Sequence, residues 1–143
     1  MSDEPTIPSD ASARLLGAMF AGAGVMHFTR PDFFEAIVPR WFPNARLANQ
    51  ASGVAEIACG LGMFSQRTRR PAAFGLLAIL AGVFPANVDM YLNDVDVRPG
   101  EDGRMERVEQ ADGVRTRNLV RLPFQLLFAV LVWRHARRVG SAA

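Results

Sequence analysis

A few polar side chains set in long apolar runs carry whatever chemistry this chain can do. Glu56 is the only charged residue between Arg46 and Arg67, and its helical neighbours three and four positions away are Ser52, Gly53, Cys59 and Gly60. An ionisable group in such a run is expensive to bury and normally faces a bundle interior or a wet cavity. Two roles suit it. It is either a proton- or ligand-responsive carboxyl, or a structural carboxyl tying helices together through His27, Asn87 or Gln125. Read as antiparallel helices rising about 1.5 Å per residue, the apolar runs bring His27, Glu56, Asn87 and Gln125 to similar depths, with Arg121 at the rim. These five residues form the candidate ligand-binding cluster. Asp89 follows Asn87 by two positions, which turns it to another side of the same helix. Arg121 can then reach inward to Glu56 or pair with Asp89.

Other chemistries find no footing. His27 and His135 fall at opposite ends of the arrangement, so they cannot ligate one haem iron. The single cysteine excludes a disulfide framework, a CxxC redox pair and any cysteine-rich metal site. Cys59 has no basic neighbour to favour its thiolate and reads as a small apolar residue. No nucleophile–base pair, phosphate loop or metal-ligand spacing occurs, so no catalytic activity and no metal are expected. Sixteen arginines (lysine is absent) against fourteen acids leave a net charge of +2, too little to argue for nucleic acid.

The elements that must position the cluster emerge from the gaps between charges. Residues 15–29, 47–66, 71–88 and 122–133 are free of charge apart from Glu56, in a chain that is 50% apolar. A bilayer's hydrocarbon core takes about 20 mostly apolar residues, and 71–88 shows no polar face of the kind a soluble helix needs. The expected fold is an all-α membrane protein, a four-transmembrane-helix bundle with spans at about 11–28, 47–64, 71–92 and 118–136 in a single domain. Pro71 opens the third span, Pro123 lies in the first turn of the fourth, and Pro85 kinks the third. Asp3, Glu4 and Asp10 give the leader the wrong charge for a secretory signal, so the first span is expected to be retained.

Two segments lie between spans on the outer side. Residues 29–46 carry Phe33, Phe34, Trp41 and Phe42 and read as an interfacial anchor. Residues 93–117 form a polar loop with a turn near Pro99, Gly100 and Gly103 and short extended arms. Compact arginine clusters at 67–70 and at 134–138 place both termini in the cytoplasm of a bacterial inner-membrane protein.

The ordered pieces Gly24-Val25-Met26-His27-Phe28, Pro31 with Phe34, Val38-Pro39, Ser52-Gly53-Val54-Ala55-Glu56, Phe84-Pro85-Ala86-Asn87 and Arg121-Leu122-Pro123-Phe124-Gln125 resemble the DoxX family of small bacterial membrane proteins. The resemblance implies a non-catalytic membrane subunit or accessory protein of a redox complex linked to quinone, sulfur or oxidative-stress chemistry. Quinone is then the candidate cofactor, and membrane lipids and a redox protein are the candidate partners. The alternative is a small proton-coupled transporter, or an apolar-ligand-binding membrane protein, using Glu56.

Overall fold

The computed structural model describes residues 9–137. Asp3, Glu4 and Arg138 lie outside that range. Five helices and one hairpin make up the described residues: α1 (Asp10–Thr29), α2 (Pro31–Ala36), α3 (Ala45–Gly62), α4 (Gln66–Leu92), β1 (Asp96–Pro99), β2 (Met105–Val108) and α5 (Arg115–Ala136). Ser9 caps α1 by accepting from the Ser12 N–H, and Asn44 caps α3 by accepting from the Leu47 N–H. Each side chain satisfies a donor that the first helical turn leaves free.

The most extensive pairings are α1 with α3 and α4 with α5. Glycine makes the first one close. A Cβ on Gly24 would lie 2.7 Å from the Gly53 carbonyl oxygen, and one on Gly60 would lie 2.7 Å from the Gly17 carbonyl oxygen. The two backbones therefore touch at paired glycines two helical turns apart, an approach that any larger side chain would hold open. At the end of the bundle opposite His27, Leu16, Met63, Leu76 and Val132 close an apolar core.

The four-span membrane bundle is corrected by these elements. Among the described residues only α4 and α5 are long and apolar enough to cross a membrane, with mean hydropathy of 1.7 and 1.3 over their best windows. Counting formal charges alone overrates the other two. Helix α1 includes Arg14 and His27, and α3 includes Arg46, Asn49 and Gln50 besides Glu56. The third helix starts at Gln66 rather than at 71, so Pro71 is interior, as Pro85 and Pro123 are in their helices.

The segments between helices are structured. Residues 31–36 form α2, and the polar 93–117 stretch holds an antiparallel pair in which Asp96 faces Val108 and Pro99 faces Met105. Gly103 turns that hairpin at φ +80°, where a side chain would be strained. Asn118 of α5 donates to the carbonyls of Met90 and Val95, at 2.9 and 2.8 Å, and fastens the hairpin's base to the helices.

Candidate functional site

His27 ends α1 beside Asn49 of α3, and their hydrogen bonds define the ring's chemistry. The Asn49 Nδ2 donates to the His27 carbonyl at 3.0 Å, which leaves Asn49 Oδ1 as an acceptor. That oxygen lies 2.7 Å from His27 Nδ1, so Nδ1 carries a proton and donates it. Nε2 is thereby turned to Glu56, whose Oε2 stands 3.6 Å away. Phe34 of α2 stacks on the imidazole with centroids 3.9 Å apart, fixing its plane. Asn49, two helical turns before Glu56, decides the orientation of the pair. Sequence reasoning put it only near the surface, although its placement close to His27 across an antiparallel helix pair was a usable signal.

A cavity of about 510 Å³ opens beside this pair, between α3, α4 and the segment that follows α1. Its walls are mostly apolar: Phe34, Ile37, Val38 and Phe42 from one side, Ala48 and Ala55 of α3, and Ile79 and Val83 of α4. Trp41 stands at its edge, 67% exposed. His27, Asn49, Ser52, Glu56 and Asn87 supply the polar groups. Glu56 is 8% exposed, yet its Oε2 has no hydrogen-bond partner.

The five residues of the expected cluster do not all meet. His27, Glu56 and Asn87 line the cavity. Gln125 stands behind it, accepting from Asn87 Nδ2 at 2.7 Å and donating to the Leu80 carbonyl. Arg121 goes elsewhere: its Nη1 lies 3.5 Å from the Met90 sulfur, and it reaches neither Glu56 nor Asp89. Asp89 is taken by Arg107 of β2, a partner the sequence pattern did not suggest. His135 sits at the other end of α1, 3.1 Å from the Ser12 hydroxyl.

The hairpin holds the cavity's roof. Arg107 pairs with Asp89 and Glu109 and donates to the Val38 carbonyl at 3.4 Å. Arg40 meets Glu109 at 3.2 Å. Asp32 of α2 accepts from the Met105 N–H at 2.8 Å, and that bond holds its carboxyl below the usual range against the opposing effect of burial. Strand β2 is thus bolted to α2 and to the turn after it, which are the pieces that cover His27.

A family model described as a domain of unknown function (DUF8561) matches residues 16–136. The chain belongs to the DUF8561 family. The match runs from the glycine seam of α1 to the end of α5, so it takes in every residue of the cavity. It corrects the resemblance to DoxX, whose matching pieces were short and individually common: glycine with small residues near a histidine, and prolines at helix ends. No curated protein and no solved structure matches the chain.

Proposed function

We propose that this DUF8561 protein is a membrane-embedded binding protein for a small apolar molecule, which it takes into the cavity beside Glu56. The observation that carries the reading is the joint character of that cavity: about 510 Å³, mostly apolar walls and one buried carboxylate oxygen without a partner. Pockets for small ligands have this make-up, with volumes of about 300–1,000 Å³ and a few polar groups that orient the occupant.

The membrane part of the proposal rests on α4 and α5. Only 22% of each apolar window is buried within the fold, whereas the core helix of a water-soluble protein would be mostly covered. Phe124, Leu126, Leu127, Val130 and Trp133 of α5 are all exposed, a surface suited to lipid. Two spans put the start of α4 and the end of α5 on one side, with Arg67, Arg69, Arg70, Arg134 and Arg137 beside them. This side is the cytoplasmic one in our reading of an inner-membrane protein, and the hairpin faces outward. Coupled transport draws no support from the opposite end, where Leu16, Met63, Leu76 and Val132 close the core. A redox subunit using quinone came with the DoxX resemblance and has no independent support.

Binding is tested with phenylcyclohexane, titrated calorimetrically into the protein in lipid nanodiscs, with empty nanodiscs as the partition control. Ala55→Phe places a ring in the cavity and should abolish saturable binding while the helical circular dichroism stays unchanged. Equal uptake by both proteins would refute the cavity as the site. Topology is tested in a Cys59→Ser background with single cysteines at Ser65 and Glu101. An impermeant thiol reagent should label Glu101→Cys in intact cells and spare Ser65→Cys; the reverse pattern inverts the orientation.

A further inference from the structure

The end of the bundle away from His27 carries a second cavity, of about 410 Å³, in a groove between α1 and α5. Two side-chain contacts join the helices there. The Ser12 hydroxyl stands 3.1 Å from His135 Nε2, and Phe20 meets Phe128 edge-on with centroids 6.2 Å apart. Leu15, Met19, Phe128 and Leu131 make the walls apolar, and Leu15 and Met19 are exposed. His135 and Phe128 lie seven residues apart on α5, so the groove runs about 10 Å along the helix.

The mouth of the groove is polar and holds no carboxylate: its groups are Ser9, Ser12, Arg134 and His135. The Ser12 hydroxyl donates to the Ser9 carbonyl at 2.8 Å, so His135 Nε2 carries a proton and donates it to Ser12. Ser9 Oγ accepts from the Ser12 N–H and keeps its own proton to donate. An anion at this mouth therefore meets a hydroxyl proton and the exposed Arg134 guanidinium. Asp10 is the only acid in 9–19, 62–76 and 128–137, segments that share six arginines, and Arg69 holds it at 2.7 Å. Trp133, exposed next to Arg134, suits the level of lipid headgroups.

We infer that this groove binds one anionic phospholipid, with its phosphate on Arg134 and an acyl chain between Leu15 and Leu131. A free anion would leave the apolar walls unused, and a zwitterionic headgroup would bring an ammonium against the surplus of arginines. Basic pockets between helices on the cytoplasmic side of a bilayer select anionic headgroups in this way. The inference rests on the membrane crossing of α4 and α5 proposed above, and not on the cavity beside Glu56.

Native mass spectrometry of the full chain tests it, in detergent holding equal amounts of dioleoyl phosphatidylglycerol and dioleoyl phosphatidylcholine. One phosphatidylglycerol should stay bound, about tenfold more abundant than bound phosphatidylcholine, the scale of one charge-assisted hydrogen bond. Arg134→Gln should cut that preference to about threefold or less. Arg67→Gln removes an arginine of the same end that does not line the groove, and should leave the preference intact. Leu15→Trp fills the chain's slot from its exposed edge and should remove both lipids while the helical circular dichroism stays unchanged. Excess glycerol 3-phosphate should displace nothing; displacement would overturn the phospholipid in favour of a free phosphate. Equal retention of the two lipids, or equal losses in Arg67→Gln and Arg134→Gln, would overturn the site. The membrane reading fails separately, through the cysteine-labelling pattern, which uses no lipid probe.

Discussion

Two glycines on the same helix should respond to alanine in opposite directions. Gly24 faces α3, where an added Cβ would meet the Gly53 carbonyl oxygen at 2.7 Å and the Ile57 backbone nitrogen at 2.8 Å. Comfortable contacts lie at about 3.5–4.0 Å. The obstacles are backbone atoms that no rotamer change can clear, so the helices must part by roughly 0.7 Å or more. Overpacking of this kind costs about 1–3 kcal/mol, against a gain of about 1 kcal/mol from replacing glycine by alanine within a helix. Gly24→Ala should therefore be destabilised by up to about 2 kcal/mol. Gly22 is the control, because a Cβ there would meet nothing within 4 Å. Gly22→Ala keeps the helix gain with no clash and should stabilise by up to about 1 kcal/mol.

Thermal unfolding of the two variants in one detergent, followed by circular dichroism, reads the difference directly. A parted seam also moves His27 away from Asn49, since the same helices carry both. Gly24→Ala should then weaken phenylcyclohexane binding, and Gly22→Ala should leave it unchanged. If Gly24→Ala is as stable as Gly22→Ala, the close α1–α3 contact is wrong, and with it the placement of His27.

Three further outcomes follow from the hydrogen bonds and ion pairs. Asn49→Leu removes both hydrogen bonds between Asn49 and His27 and should cost about 2 kcal/mol, and a variant as stable as the parent by chemical unfolding would show that this pair does not hold α1 to α3. Arg107→Met strands the largely buried Asp89 carboxylate and should destabilise by about 3 kcal/mol; adding Asp89→Leu should recover much of the loss by chemical unfolding, while tryptic cleavage after Arg40 should accelerate in both variants, since both lose the Arg107 contacts to Val38 and Glu109. Burial raises the Asp96 carboxyl, but hydrogen bonds from Arg98, Arg117 and the Val97 N–H outweigh it and hold the group at about 2, below its usual 3.8. The folded value is the lower one, so this stabilisation is complete above about pH 4 and fades as the pH falls towards 2. Hydrogen exchange of the hairpin amides between pH 2 and 4 checks this, and Arg117→Gln should shift the loss of protection upward.

The sequence was informative where polar residues are scarce and silent where they are plentiful. Glu56, alone in its run, had to be buried, and its spacing from Ser52, Gly53 and Gly60 exposed the small-residue face that admits α1. Asn87 and Asp89 separate as helical spacing requires, one towards Gln125 and the other towards Arg107. The choice of Arg107 over Arg121 was not legible. It depends on strand register, and 94–112 alternates acids and arginines so evenly that no pairing stands out. Charge gaps also misled about the membrane, because Asn49, Gln50 and His27 lower hydropathy without appearing as charges.

Glu56 Oε2 differs in one respect from the other buried polar atoms without partners. Arg69 Nη2, Asp94 Oδ1 and Asn118 Oδ1 share that condition, but none of their residues lines the main cavity. Leaving a buried acceptor unsatisfied costs about 1–3 kcal/mol. Asn49, Asn87 and Gln125, close by in the same fold, all have partners. Packing around the site is therefore able to satisfy polar groups, and the lack at Glu56 is confined to the enclosed oxygen beside His27. A purely structural carboxyl would be better served by a shorter approach to His27. Phe34 and Asn49 instead hold the imidazole in a plane and orientation that leave 3.6 Å between Nε2 and Oε2. Phe34 and Asn49 thus stiffen a gap rather than close it, and the Glu56 carboxylate is left as an unsatisfied acceptor in the wall of the apolar cavity.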